Sequence, residues 1–422
     1  MSDATTVGSP PPHPAAGYIE PGTAAFRRAT LALASAGFTT FALMHCVQPL
    51  LPEFARRFGI TAAASSLAVS VTTVCLAAAL PVFGALSEAW GRKAIMVASL
   101  LVVGALTAAM AFVSDWTVLL VLRAVEGVAF AGLPALAMAY LGEEFHPRVI
   151  GRAVGLYVAG TACGGMAGRL VAATLTDFVS WQFAMAVIGG AGMLAGVLVW
   201  VRLPASAHFR PRTLAAGSLA RTYVAHLADP VLVRLFFEAL LLLGSFITLY
   251  NYVTFHLMEP PYVLSQASVG FVFVVFLVGI LGSAWSGAGM DLLGRRRMVM
   301  LNIGLMLAGV LITTWVWLPA VIGGVALVTF GFFGAHSVAS GWVATRVRHG
   351  RAQASALYLV FYYVGASVAG TSGGLFWESW GWPGVVGFLC ALLSVALVAA
   401  YGLPADDVVV TDSPRRSAAE GV

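Results

Sequence analysis

The sequence predicts an all-α membrane protein of twelve transmembrane helices, arranged as two pseudo-symmetric halves of six. Three observations carry that expectation. Of 422 residues, 60% are hydrophobic and only 10% are charged, whereas a soluble domain carries about 25% charged residues. No water-facing surface can be built from this inventory, which excludes a soluble enzyme. Apolar runs of membrane-crossing length follow one another along the chain. A short motif also occurs twice, 203 residues apart.

The chain opens with residues 1–28, rich in Pro, Gly, Ser and Thr and without an apolar run. They read as a disordered cytoplasmic tail, neither a signal peptide nor a folded module. Apolar segments follow at about 29–51, 64–84, 94–113, 117–141, 150–175, 182–203, 232–256, 267–287, 297–317, 320–345, 353–376 and 384–403. The longest polar interval, 204–231, is expected to be a cytoplasmic linker between an N-terminal half (29–203) and a C-terminal half (232–404). A second cytoplasmic tail, 405–422, closes the chain.

Orientation follows from the basic residues, because Lys and Arg near helix ends collect on the cytoplasmic side. With both termini inside, all of the 23 Lys and Arg fall in inner segments except Arg56, Arg57, Arg123 and Arg169. The expected location is therefore the inner membrane, multi-pass, with an even number of spans. The net charge of +5 is scattered between apolar runs, so it offers no nucleic-acid face. Cys46, Cys75, Cys163 and Cys390 all lie in expected spans and read as small apolar packers, with no disulfide or metal spacing.

The repeated motif places Gly84, Glu88, Gly91, Arg92 and Lys93 at the end of the second span and Gly287, Asp291, Gly294, Arg295 and Arg296 at the end of the eighth. Leu156, Tyr157 and Trp181 match Leu357, Tyr358 and Trp382 at an offset of 201. Two six-helix parallel repeats with a cavity between them make a transporter architecture.

On these residues the chain resembles the major facilitator superfamily over essentially its whole membrane region. The resemblance implies that superfamily's fold, and gating loops that clamp the halves together on the cytoplasmic face during alternating access. Glu88 stands where the family usually has Asp, and Ala89 where a basic residue is common. Phe332, Phe333, His336, Trp342, Tyr358, Tyr362, Tyr363 and Gly365 are similar to spans ten and eleven of the YnfM-like group, usually described as sugar or drug efflux transporters. Arg123 to Gly127 resembles an element of span four in proton-coupled antiporters. Span five carries Gly160, Gly164, Gly165 and Gly168 without that group's proline, a spacing that still lets helices pack closely.

Ionisable side chains inside a span cost at least about 2.5–3.5 kcal/mol each, so the few present invite functional readings. Arg123 and Glu126 lie three apart on one helix face, with Glu126 about 15 Å deep, near the bilayer midplane. A carboxylate there can hold a proton in one conformation and release it toward Arg123 in another; the alternative is a permanently neutral ion pair. Spans one, four, seven and ten, which the resemblance implies line the cavity, add His45, Gln48, Asn251 and His336, and span five adds Arg169. Each histidine suits either a proton shuttle or a plain interhelical hydrogen bond. Arg169 suits an anionic substrate or, as the favoured reading, pairing with Glu126 or Asp177. Glu238 lies near the inner boundary, within reach of interfacial water, and is expected to serve structure or gating. Phe332, Phe333, Tyr362 and Tyr363 suit a wall for a flat organic compound or simple packing.

There is no phosphate-binding loop, metal cluster or catalytic constellation. The expected activity is proton-coupled efflux of a small organic molecule, drug or sugar-like, by a monomer that uses the proton gradient and no cofactor, with substrate and lipid bilayer as its partners. The alternatives are uptake or facilitated diffusion of a metabolite or sugar and, from another class, a polytopic enzyme or receptor.

Overall fold

The computed structural model describes residues 17–208, 216–347 and 349–405, excepting the side chains of 85, 88, 89 and 216–220. The ends of both expected tails lie outside the described residues, as do Arg210, Arg212, Arg348, Arg415 and Arg416 from the orientation argument. Among the described residues, ten helices are long and apolar enough to cross a membrane. Two details make twelve spans consistent with these ten helices. Arg351–Tyr401 has 51 residues, about 76 Å of helix against a hydrocarbon core of about 30 Å. It folds back at Gly381 (φ 59°), two residues before Pro383, and so contributes two spans. Arg295–Ile312 has eighteen residues and is consistent with a further span whose three leading arginines reach the interface at its end.

The spans are 1 (Ala24–His45, continued by Leu51–Phe58), 2 (Ala62–Trp90), 3 (Arg92–Ala109), 4 (Trp116–Phe130 with Pro134–Glu144), 5 (Ile150–Phe178) and 6 (Trp181–Arg202). The second half has 7 (Pro230–Met258), 8 (Gln266–Val272 with Val278–Leu293), 9 (Arg295–Ile312), 10 (Leu318–Arg346), and 11 and 12 on either side of Gly381. Side-chain oxygens satisfy the first amides of several helices, with Thr61 accepting from Ala64, Asp115 from Val118 and Asp229 from Val231 and Leu232. Burial pushes the Asp229 carboxyl up. Those two amides and Arg346 outweigh the push and hold it below the usual carboxylate range.

Three expectations change in detail. Residues 17–28 are not a disordered tail: Ile19 pairs with Glu144 and His146 through the main chain, and the first helix starts at Ala24. The first span breaks around Pro49 and resumes to Phe58, so Arg56 and Arg57 sit in a helical last turn. The 204–231 interval holds a helix, Ala216–Ala228. Its first residues are anchored to the N-terminal half, where Leu203 and Pro204 carbonyls accept from Lys93 and Tyr140, and Glu144 accepts from the amides of Ala207 and His208.

Each half packs on glycine. Gly160, Gly164 and Gly168, four apart on span 5, lie against the backbone of Ala34, Phe38 and Ala42 on span 1. Gly365 of span 11 lies likewise against Leu240 of span 7. A Cβ at any of these positions would collide with the facing main chain, so the expected close approach of span 5 is present without the proline.

The halves meet through spans 2 and 11 and through spans 5 and 8. We call the side carrying the 203–229 segment the linker face and the opposite side the far face. The cross-half hydrogen bonds named below lie toward the far face. Span 8 meets span 5 mainly through Gln266–Val272 and the turn that follows, while positions 84 and 287 on the linker face border open space. The named hydrogen bonds between the halves thus gather toward the far face.

Gly164→Val is expected to lower the thermal unfolding midpoint of the detergent-purified protein, since overpacking a tight contact costs about 1–3 kcal/mol. Gly155→Ala, with no heavy atom within 4 Å of the added carbon, is expected to leave the midpoint unchanged or raise it. Equal midpoints for the two variants would remove the glycine seam from the account.

Candidate functional site

Arg123 and Glu126 are both fully buried inside the N-terminal half. Arg123 Nη1 bonds Glu126 Oε2, its Nε donates to Ala68 O at 2.8 Å and its Nη2 to Met44 O at 3.0 Å. Thr107 Oγ1 donates to Glu126 Oε1 at 2.6 Å, and Thr72 Oγ1 to Arg123 O at 3.1 Å. The pair therefore ties spans 1, 2 and 3 to span 4. Burial of this kind is tolerable only because the remaining donors and lone pairs find partners.

A second polar cluster joins the halves. Arg169 Nε donates to Gln48 Oε1 at 2.7 Å, and Gln48 Nε2 donates to Asn251 Oδ1 at 2.8 Å. The guanidinium also caps Gly165 O at 2.7 Å and lies 4.4 Å from the centre of the Phe276 ring on span 8, a cation–π contact. Arg169 therefore reaches neither Glu126 nor Asp177; an amide, a carbonyl and an aromatic face take the place of the expected carboxylate. His45 lies half-buried nearby, its Nδ1 3.1 Å from Phe41 O. Gln48 and Asn251 are 203 apart, the offset of the repeated motif, so equivalent residues of the two halves meet each other.

The C-terminal half contributes an aromatic wall. His336 Nδ1 lies 3.0 Å from the Tyr358 hydroxyl, and its ring centre is 4.7 Å from that of Tyr362. Of the expected pocket aromatics, Phe333 and Tyr362 are half-buried, whereas Phe332 and Tyr363 are buried. Phe332 stacks on Phe246 at 3.9 Å and belongs to the packing of its own half. Glu238 is 0% exposed with neither oxygen hydrogen-bonded, which corrects the expectation that it reaches interfacial water. Its helix lies against span 11 along that length, and the neighbouring helices cover it.

The repeated loops share one backbone form. Gly91 and Gly294 adopt φ 87° and 78°, each ending one helix and opening the next, a conformation that favours glycine. Their basic groups bond within their own halves, Arg92 to Glu143 at 2.9 Å, Lys93 to Leu203 O, and Arg295 to Thr345 at 3.0 Å, with Arg296 over the Tyr401 ring. Asp291 is exposed, and the Glu88 side chain lies outside the described residues. In this conformation these bonds do not bridge the halves.

On the far face two carboxylates do bridge them. Glu378 Oε1, at the end of span 11, accepts from the Ala63 amide at the start of span 2 at 3.0 Å. Asp177 Oδ2, at the end of span 5, accepts from the Ala267 amide at the start of span 8 at 3.3 Å. Each acid meets the positive end of a helix dipole. The two acids are 201 apart, the offset that relates Tyr157 to Tyr358, a signal present in the sequence but not used there.

Comparison with known proteins agrees with this geometry. The family model described as Major Facilitator Superfamily matches residues 33–368. The chain belongs to the Major Facilitator Superfamily. It is 49% identical over 380 residues to the MFS-type transporter YybF of Bacillus subtilis (strain 168), covering 90% of this chain and 94% of that protein. It is 42% identical over 381 residues to the inner membrane transport protein YnfM of Escherichia coli (strain K12), covering 90% and 91%. The crystal structure of a bacterial homologue of the human lysosomal transporter Spinster, in an inward-facing and occupied conformation, superposes with a TM-score of 0.72 at 13% identity, over 90% of this chain and 96% of that one. This superfamily member is a multi-pass membrane transporter and not an enzyme. Among the described residues no three His, Cys, Asp or Glu side chains gather as a metal site requires.

Two predictions follow from the buried pair and the far-face acids. Arg123→Met strands Glu126 without a cation and is expected to cost about 3–5 kcal/mol of stability; adding Glu126→Gln is expected to recover much of that loss in chemical unfolding. A double variant as unstable as the single one contradicts the pairing. Asp177→Asn with Glu378→Gln removes two charge–dipole contacts of about 0.3–1 kcal/mol each. The equilibrium should then move away from far-face closure by roughly threefold to thirtyfold, read as spin-label distances across that face. An unchanged distance distribution would show that the acids do not hold the closure.

Proposed function

We propose that this transporter is a proton-coupled exporter of a small organic molecule, residing in the inner membrane as a monomer with both termini and the linker face in the cytoplasm. The structure then corresponds to an inward-facing state. The observation that carries the reading is the Arg123–Glu126 pair, a titratable carboxylate ten residues from the start of its helix, about 15 Å deep and near the midplane of a hydrocarbon core of about 30 Å. Main-chain carbonyls of spans 1 and 2, Met44 O and Ala68 O, share its guanidinium. A rocking motion that repacks those spans would change how much of the Arg123 charge is left for Glu126, and with it the carboxylate's hold on a proton.

The half-buried Phe333, His336 and Tyr362 support an organic substrate entering between the halves, because flat apolar compounds bind against such surfaces. The Arg169–Gln48–Asn251 chain would close the far side of that space and supply polar contacts. Similarity to the YnfM-like group supports export over uptake. No bound cofactor enters this scheme; the proton gradient supplies the energy.

The test is transport in proteoliposomes against a compound panel, with and without a proton uncoupler, for the native chain and Glu126→Gln. Uphill export that collapses with the uncoupler is expected, and the variant should still equilibrate substrate downhill while substrate-driven proton movement falls to the level of empty vesicles. Transport indifferent to the uncoupler would point to facilitated diffusion, and undiminished proton movement in Glu126→Gln would remove Glu126 from the coupling.

A further inference from the structure

Glu238 is the one acidic residue of span 7, Pro230–Met258. It stands eight residues in, about 12 Å along the helix, and is 0% exposed. Neither carboxyl oxygen has a hydrogen-bond partner. The other buried charges within spans are bonded, Arg123 to Glu126 and Arg169 to Gln48 and Gly165. An ionised carboxylate sealed from water without a cation or a donor costs many kcal/mol, whereas a neutral carboxyl in the same place forfeits only unmade hydrogen bonds.

The groups that face it are themselves able to pass a proton. Tyr358 belongs to span 11, which packs along span 7 with Gly365 against Leu240, and its hydroxyl is 3.0 Å from His336 Nδ1 on span 10. His336 and the adjacent Tyr362, with ring centres 4.7 Å apart, are half-buried. The helix Ala216–Ala228, packed at the start of span 7, brings Tyr223 and His226, the latter 3.1 Å from Gly350 O. Asp229 and Arg346 pair at 3.2 Å at the end of the span.

We infer that Glu238 is a proton-binding site of the C-terminal half, loaded in this far-face-closed conformation and unloaded through Tyr358 and His336 when span 7 moves against span 11. This rests on the proton-coupled reading above and adds a second carboxyl to it, one in each half. Loading forms an O–H bond on the carboxylate; unloading breaks it and passes the proton by way of the Tyr358 hydroxyl to the imidazole of His336 or to water reaching it. No other bond changes. Glu126 has its guanidinium at hand in this conformation and Glu238 has none, so the two carboxyls stand in opposite electrostatic settings.

Infrared difference spectroscopy of the full detergent-purified chain across a pH series tests this without a substrate. A carbonyl-stretching band of a protonated carboxylic acid is expected at neutral pH, absent from Glu238→Gln and retained in Glu126→Gln. Tyr358→Phe and His336→Gln should shift its frequency or its titration. If Glu238→Gln does not fold, Glu238→Asp should move the band instead. A band that survives unchanged in the folded Glu238 variants, or no such band in the native chain, overturns the site. The two readings fail separately: native transport that ignores a proton gradient defeats the coupling whatever the band does, and a band independent of Glu238 defeats this site even where coupling holds.

Discussion

A polar group in hydrocarbon finds no water, so whatever partners it has must come from the protein. That constraint organises this molecule. Arg123 and Arg169 are the largest fully buried side chains among the described residues, and the Arg123 guanidinium spends its donors on a carboxylate and on carbonyls of two other helices. Spans 1, 2, 3 and 4 are held in register around it. Arg169 meets the same requirement with an amide, a carbonyl and an aromatic face, and in doing so it stitches one half to the other. Charge placement and helix packing are here one problem, since a helix that drifted would leave a donor stranded.

The internal repeat solves the second problem, how two halves can part and rejoin. A pseudo-two-fold relation brings equivalent positions to the axis, which is why Gln48 meets Asn251 and why Asp177 and Glu378 each close on the first turn of a helix from the opposite half. Such contacts are worth little singly, so the joined face can open without a large barrier from any one of them. The glycine seams within each half are different in kind. They press backbone against backbone and make each half a unit that can rock as a whole.

Much of the fold was legible in the sequence because its signal is one-dimensional. Hydropathy reports the spans, and the repeated Gly91 and Gly294 mark turns whose left-handed backbone favours glycine. Spacing of three also foretold the Arg123–Glu126 pair, since helix geometry alone brings such residues together. Local breaks escaped, among them the interruption near Pro49 and the helix within the linker, because their apolar content resembles their surroundings. The site was less legible. Arg169 looked in need of a carboxylate, and only the packing of span 8 shows Phe276 beneath it. Glu238 looked close to water by its place along the helix, yet depth along a helix says nothing about the neighbours that cover it.

The sequence by itself therefore determined the multi-pass helical membrane architecture, the two-half repeat and the stock of titratable groups, since each follows from composition or spacing along one chain. Tertiary structure alone decided which of those groups are neutralised, which are bonded across the halves and which, like Glu238, are enclosed without a partner. Pairing and burial depend on residues one to two hundred positions away, and hydrocarbon magnifies the difference between a charge that has found a partner and one that has not.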